Sequence, residues 1–238
     1  MIQKVRGTRD ILPPESRLWL EVEAVAQRVL GGFGYEEIRL PLLEPTELFV
    51  RSVGEATDIV GKEMYTFADR KGRSLTLRPE GTASVARAFI ENGLAQRPGP
   101  LRVCYLGPMF RYEKMQRGRY RQFAQIGIEL LGAATPQADA EVVLALHTFL
   151  AELGFDDLVI VLNNLGDPED RPRFIELLLG ELAGHRDELC TDCRRRWETN
   201  PLRILDCKVP RCRELVAATT PVADVVSEEA RRHVDAVE

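Results

Sequence analysis

The sequence predicts an α+β protein, in which an antiparallel sheet is flanked by helices and followed by a smaller, mainly helical region. Three observations lead to this prediction. Apolar residues recur at helical spacing over residues 14–31 and 139–153. Between these helices lie short apolar runs, close enough together for consecutive strands to pair antiparallel. After residue 189 cysteines, arginines and prolines dominate, so we place a boundary near residue 165. The predicted domains are residues 1–165 and 166–238.

The individual elements follow in chain order. The first helix ends at a glycine cluster in residues 31–34, and the next strand, 35–40, ends at Pro41, which cannot donate to a sheet ladder. Two short strands around a charged turn at 69–72 predict a hairpin. The other predicted elements are helices at 82–92, 139–153, 172–188 and 227–238 and strands at 101–106, 109–113, 122–131 and 158–162.

The composition is that of an ordinary globular protein. Hydrophobic residues make up 45% and charged residues 29% of the 238 positions, with a formal charge of −5. These values exclude disordered, collagen-like and coiled-coil classes. No apolar run approaches the roughly 18 residues of a membrane span, and the N-terminus lacks a signal-peptide core. We therefore expect a cytoplasmic protein without a membrane partner, while local basic patches leave an RNA partner open.

The stretch from Met109 to Phe123 is the richest in chemistry. On a strand, Arg111 and Glu113 point to the same face. The loop that follows is basic and contains a glycine, and Phe123 offers a flat surface for a base. Such a set suits a nucleotide, with arginine on the phosphates. A solvated hairpin whose arginines pair with carboxylates explains the same residues equally well.

These residues resemble a known motif. Phe-Arg-x-Glu at 110–113, a loop and a returning strand with an aromatic resemble motif 2 of class II aminoacyl-tRNA synthetases, and the helix–glycine–strand–proline unit ending at Pro41 resembles motif 1. More specifically, five segments resemble bacterial histidyl-tRNA synthetases. They are residues 6–13, 77–82, 107–111, 117–123 and 199–206. They span essentially the whole chain in the family's order, which implies the class II fold.

The resemblance implies a set of site residues. Arg111 would be the catalytic residue, bridging the α-phosphate of ATP and the carboxylate of histidine, where charge builds in the transition state. Glu80 and Thr82 would receive the α-ammonium group of histidine, and Gln125 and Glu129 would reach its imidazole. The implied ATP-binding residues are Arg111, Glu113, Arg121 and Phe123. The implied histidine-binding residues are Glu80, Gly81, Thr82, Arg111, Gln125 and Glu129.

The implied function is that of a histidine-tRNA ligase in protein biosynthesis. Such an enzyme uses ATP with Mg²⁺ to convert L-histidine to histidyl-adenylate and transfers the histidine to tRNA(His). Motif 1 implies a homodimer with a two-fold interface. One alternative is the non-catalytic, synthetase-like regulatory subunit of ATP phosphoribosyltransferase, against which the retained motif 2 residues argue. Another is a nucleic-acid-binding fragment without catalysis.

Two departures from the family pattern carry expectations. The sequence ends at Glu238, ahead of the family's motif 3, its second histidine-specific segment and its anticodon-binding domain. We therefore expect a truncated N-terminal portion that is inactive alone. Ala124 stands where bacterial members often have histidine. Because neighbours on a strand face opposite sides, we expect Ala124 to point away from Gln125 and to leave the site intact.

Four of the five cysteines cluster between residues 190 and 212. Two residues separate the first pair and four separate the second, a spacing typical of zinc ligands. In a cytosolic chain such clusters indicate metal binding more than disulfides. The sequence therefore predicts a structural Zn²⁺ that staples this region and takes no part in the chemistry. The predicted ligands are Cys190, Cys193, Cys207 and Cys212. The alternative is four reduced cysteines without metal.

Overall fold

The computed structural model describes residues 2–53, 57 and 59–238. The chain forms two compact units, one of Met1–Ala134 with Ala138–Leu158 and the other of Thr135–Gln137 with Val159–Glu238. For most of the chain the division falls a few residues before the predicted boundary near 165. The functional domains 1–165 and 166–238 stay a prediction.

Helices and strands alternate in the first half of the chain, and helices alone follow. The strands are β1 Glu36–Glu37, β2 Leu43–Pro45, β3 Tyr65–Ala68, β4 Ser74–Leu77, β5 Leu101–Phe110 and β6 Gln122–Leu131. The α-helices are α1 Glu15–Gly32, α2 Thr46–Val53, α3 Thr82–Glu91, α4 Pro136–Glu152, α5 Asp170–Leu182, α6 Thr191–Thr199, α7 Pro210–Ala217 and α8 Glu228–Val237. Shorter helical turns are Ile59–Glu63, Leu94–Gln96, Ala183–Glu188, Pro201–Ile204 and Val222–Asp224. The predicted α+β class and the helical second region are confirmed.

The strands form two small sheets among the described residues, in the orders β1-β5-β6 and β2-β4-β3. β5 and β6 pair antiparallel along their whole length, from Leu101 opposite Leu131 to Phe110 opposite Gln122. β4 pairs antiparallel with both β2 and β3. One edge differs from the predicted antiparallel sheet, because β1 runs parallel to β5 over two residues.

Helices cover both faces of the β5–β6 hairpin. Val103, Tyr105 and Met109 pack with Val85 of α3 on one face. Because side chains alternate along a strand, Cys104 belongs to the opposite face, where Leu30 of α1 and Ala145 of α4 form a second cluster. The face toward α3 carries the predicted site residues of β6, as described below.

Several predicted elements differ from the structure. The strands 101–106 and 109–113 are one strand that ends at Phe110. Pro108 is accommodated inside it because β1 pairs with residues 103 and 104 alone, so β5 is an edge strand at residue 108. The helix 172–188 is an α-helix to Leu182 and a 3-10 turn beyond. The apolar run 158–162 lies in no strand, and Val159 and Val161 are each 84% exposed.

The second unit has its own core between α5, α6 and α7. Phe174, Leu178 and Leu182 of α5 pack there with Leu189 and Ile204. Cys193, Cys207 and Cys212 belong to the same buried cluster. No helix among the described residues is both long and apolar enough to span a bilayer.

Candidate active site

The candidate site is built on the face of the β5–β6 hairpin that α3 covers. Directly paired residues of antiparallel strands point to the same side of a sheet. Tyr105 is paired with Gly127, and Gly107 with Gln125. The further pairs on this face are Val103 with Glu129 and Met109 with Phe123. The register therefore gathers Phe123, Gln125 and Glu129 on one face, and it places Ala124 on the other, as expected.

A polar cluster joins the start of α3 to β6. The hydroxyl of Thr82 donates to Oε1 of Glu129 at 2.7 Å. The carboxylate of Glu80 accepts from the backbone N–H groups of Thr82, at 2.6 Å, and Ala83, at 3.0 Å. These bonds satisfy the first turn of α3, where the helix dipole favours a negative charge. Burial raises the pKa of Glu129, and the nearby charge of Glu80 adds to this effect, while the hydrogen bond from Thr82 opposes it.

Tyr105 is a site residue that the sequence reasoning missed. Its buried ring passes between two glycines, since a Cβ on Gly81 would lie 2.3 Å and one on Gly127 2.2 Å from its Cζ atom. Its hydroxyl lies 3.5 Å from both Oε1 of Glu129 and Nε2 of Gln125. Burial, reinforced by the charge of Glu129, raises the pKa of Tyr105 to about 12, so the hydroxyl stays protonated at neutral pH. The available signal was Gly127, which lies directly opposite Tyr105 once the predicted strands 101–106 and 122–131 are paired antiparallel.

Arg111 lies just beyond the end of β5, next to this cluster in sequence and in space. Its backbone N–H donates to the carbonyl oxygen of Arg121 at 2.9 Å, which continues the hairpin register. Its Nε donates to the carbonyl oxygen of Pro79 at 2.8 Å. The guanidinium carbon lies 5.3 Å from the ring centroid of Phe123, and Nη1 lies 3.9 Å from Oε1 of Glu113. Arg111, Glu113 and Phe123 are therefore brought together.

Arg121 lies on the strand-to-loop edge of the same hairpin. Its guanidinium carbon is 3.6 Å from the ring centroid of Tyr112, and its Nε is buried without a hydrogen-bond partner in the described part of the chain. Glu113 forms an ion pair with Arg119, at 2.9 Å between Oε2 and Nε. The basic loop thus supplies one arginine that neutralises Glu113 and a second that stacks on an aromatic ring.

The four clustered cysteines meet in the core of the second unit. Their Sγ atoms all lie within 4.8 Å of one another, and those of Cys190 and Cys207 are 3.9 Å apart. The backbone N–H of Cys190 donates to Sγ of Cys212 at 3.3 Å. Four sulfurs bound to one tetrahedral Zn²⁺ at its usual bond length stand about 3.8 Å from each other. The donor set and its spacing therefore fit a zinc ion.

The chain is similar in sequence to histidyl-tRNA synthetases. A family model described as histidyl-tRNA synthetase matches residues 7–167. A histidine-tRNA ligase of Desulfatibacillum aliphaticivorans is 49% identical over 237 residues, which cover 100% of this chain and 57% of the relative. One of Maridesulfovibrio salexigens is 51% identical over 238 residues, covering 99% of this chain and 58% of the relative. The chain thus spans little more than half the length of these relatives.

Solved structures agree. Apo S. aureus histidyl-tRNA synthetase superimposes with a TM-score of 0.77 at 36% identity, over 100% of this chain and 53% of that one. A Bacillus halodurans protein described as an ATP phosphoribosyltransferase regulatory subunit/histidyl-tRNA synthetase gives 0.65 at 22% identity, over 100% of this chain and 65% of that one, which shows the fold alone. Since the family model covers well over half of the residues, the chain belongs to the histidyl-tRNA synthetase family.

Proposed function

We propose that this chain carries the histidine-binding and ATP-binding part of the active site of a histidine-tRNA ligase. The observation that carries the proposal is the cluster of Thr82, Glu129, Gln125 and Tyr105 on one sheet face beside Arg111. The relatives with this printed name are about half identical to the chain. The proposed reaction is activation of L-histidine by ATP with Mg²⁺, followed by transfer to tRNA(His).

The polar cluster suits the two ends of a histidine molecule. The carboxylates of Glu80 and Glu129 are acceptors for an ammonium group and for imidazole N–H groups. Oε1 of Gln125 is buried without a hydrogen-bond partner among the described residues. An unsatisfied buried acceptor costs free energy, which an N–H of histidine would recover. An apolar amino acid would leave these groups unpaired, so the cluster would reject it.

The arginine side of the face suits ATP. Nε of Arg111 is occupied by the Pro79 carbonyl, so the Nη groups are the donors that would serve the α-phosphate and the histidine carboxylate. Phe123 would stack on adenine, with Glu113 beside it and Arg121 at the phosphates. Mg²⁺ would neutralise part of the phosphate charge. The histidine carboxylate is already a nucleophile, so the chemistry needs positioning and charge stabilisation and no general base.

Three finer features complete the proposal. Cys190, Cys193, Cys207 and Cys212 would hold a structural Zn²⁺, remote from the chemistry. A homodimer would bury the exposed leucines of α1, Leu18 and Leu20, together with Leu12 just before the helix. The protein would act in the cytoplasm, where tRNA charging takes place.

Calorimetric titration with L-histidine and L-leucine tests the amino-acid site in the chain itself. We expect saturable binding of histidine and none of leucine. Glu129→Gln should weaken histidine binding about tenfold or more, because a charge-assisted hydrogen bond is lost, while ATP binding stays unchanged. Glu36→Gln, on exposed β1, is the matched control and should bind histidine like the parent. Equal binding of both amino acids, or an unaffected Glu129→Gln variant, would refute the assignment.

A further inference from the structure

The N-terminal segment of residues 5–9 forms a tight turn against the motif 2 hairpin. The backbone N–H and the hydroxyl of Thr8 both donate to the carbonyl oxygen of Val5, at 3.1 and 2.7 Å. Gly7, inside this turn, is buried and has a φ of +90°, a backbone conformation that favours glycine. The backbone conformation of the turn is therefore by itself a reason for glycine at residue 7.

Gly7 also touches Arg121 directly. Its carbonyl oxygen accepts from the backbone N–H of Arg121 at 2.7 Å. A Cβ on Gly7 would lie 2.6 Å from Cδ and 2.7 Å from Cγ of Arg121. The carbonyl oxygen of Arg6 adds a long contact to Nη1, at 3.5 Å. The stem of the arginine thus lies on the backbone of the turn, in space that any side chain at residue 7 would occupy.

Tyr112 holds the same arginine from the other side. The guanidinium carbon of Arg121 lies 3.6 Å from the centroid of the Tyr112 ring. Tyr112 is itself anchored. Its backbone N–H donates to the carbonyl oxygen of Glu63 at 2.7 Å, and the ring of Tyr65 packs edge-on against its ring, with 5.6 Å between the centroids. The arginine is thereby clamped along its length and at its head.

The turn is tied to the rest of the first unit by Arg9. Its guanidinium lies 5.1 Å from the ring of Tyr120 and 5.9 Å from that of Trp19, and Nη2 pairs with Glu15 at 2.7 Å. Tyr120 immediately precedes Arg121 in sequence. A displacement of the turn is therefore transmitted to Arg121 and to the residue before it.

We propose that Gly7 is a positioning residue, which together with Tyr112 holds the Arg121 guanidinium in place for the phosphates of ATP. This inference rests on the proposed function. The clamp consists of backbone, methylene and aromatic contacts, and it leaves Nε without a hydrogen-bond partner in the described residues. No carboxylate among the residues that the structure describes pairs with this guanidinium, so the group is oriented but not neutralised, and it is prepared for an anion.

Titration of the chain with MgATP and with adenosine tests the inference. Gly7→Ala should weaken ATP binding about tenfold, the effect of a lost charge-assisted contact, and should leave adenosine and L-histidine binding unchanged. Gly72→Ala is the matched control, because Gly72 has a similar φ of +77° with no atom within reach of a Cβ. It should bind all three ligands like the parent. A change in adenosine binding equal to that in ATP binding would overturn the inference.

Two further comparisons separate positioning from general damage. In an Arg121→Ala background, Gly7→Ala should weaken ATP binding no further, because the two changes act through one contact. A full additional loss would overturn the proposal. Should Gly7→Ala fail to fold, Tyr112→Leu should weaken ATP binding selectively and Tyr112→Phe should restore it, and equal effects of both would overturn the proposal. A parent chain that binds neither ATP nor histidine would instead refute the proposed function, and this inference with it.

Discussion

Replacing Arg78 by methionine should destabilise the first unit by about 3 kcal/mol. Arg78 is 3% exposed, and its acceptors are backbone carbonyls. Nε donates to Pro108 at 3.0 Å, and Nη1 donates to Leu40 at 3.0 Å and to Pro41 at 3.5 Å. The side chain thereby joins β5 to the segment between β1 and β2. Gly107 makes room for it, since a Cβ there would lie 2.6 Å from Nη2.

The magnitude follows from the number of short hydrogen bonds. A hydrogen bond from a charged donor contributes about 1.5 to 3 kcal/mol, so the two at 3.0 Å represent about 3 to 6 kcal/mol. Methionine recovers part of this, because the cation no longer has to be held away from water. Burial lowers the pKa of Arg78, which shows that the buried site disfavours the charged form. The carbonyl groups of Pro108 and Leu40 still lose their donors, so the recovery is only partial. The expected loss is therefore about 3 kcal/mol, at the lower end of the 3 to 6 kcal/mol.

Urea unfolding provides the measurement. The chain has two tryptophans, and Trp19 belongs to the first unit and Trp197 to the second. In a Trp197→Phe background, Trp19 fluorescence therefore reports the first unit by itself. Arg39→Met is the control, since that side chain is 87% exposed and should leave the midpoint unchanged. An Arg78→Met midpoint equal to that of the control would show that these hydrogen bonds contribute nothing net.

Two predictions concern the metal and the assembly. The purified chain should contain about one zinc ion by elemental analysis. Cys207→Ser should lose the ion and Cys104→Ser should keep it, because only Cys207 is one of the four clustered thiolates. Parent protein without zinc would contradict the proposed site. Sedimentation at micromolar concentration should show a dimer. Leu18→Glu should dissociate it, and Leu144→Glu, a change at a similarly exposed leucine on α4, should not. A monodisperse parent monomer would contradict the proposed interface.

The hairpin at the centre of the site was predictable because its signals are local. The strand 122–131 was predicted with the bounds that β6 has. Phe123 shares a face with Gln125 and Glu129 because alternation and antiparallel pairing fix which residues of a strand point the same way. Arg111 and Glu113 lie beyond the end of β5, where the N–H of Glu113 donates to the carbonyl oxygen of Arg111 at 2.8 Å, so the expected strand alternation does not place them. Tyr105 escaped because its place depends on the missing Cβ atoms of Gly81 and Gly127. Such a fit joins three distant positions, and no periodicity reports it.

The run 158–162 shows the opposite case, in which a strong local signal does not produce an element. Val159, Ile160 and Val161 have high strand propensity, and all three are exposed. Propensity of this kind measures how well side chains pack on a pleated surface. A strand also needs a neighbour to pair its backbone groups, and none of the described strands pairs with this run. The apolar run therefore reflects the strand propensity of its residues, and the strand predicted from it is absent from the described structure.

Residues 78–82 connect the two halves of the candidate site through consecutive backbone contacts. The carbonyl of Arg78 accepts from the N–H of Phe110 at 3.0 Å, and the next carbonyl, of Pro79, accepts from Nε of Arg111 at 2.8 Å. Glu80 then caps α3, and Thr82 donates to Glu129.

Because hydrogen bonds hold this segment at Arg78, Pro79, Glu80 and Thr82, a shift at one end would strain the contacts at the other. Arg111, the proposed phosphate-binding arginine, and Glu129, the proposed imidazole acceptor, thus share one scaffold, which the buried Arg78 side chain holds in place. A catalytic geometry that tolerates errors of less than about 1 Å gains from such a connection. The sequence Arg-Pro-Glu-Gly-Thr is therefore explained residue by residue: a buried anchor, a carbonyl for Arg111, a cap, a gap for Tyr105 and a donor for Glu129.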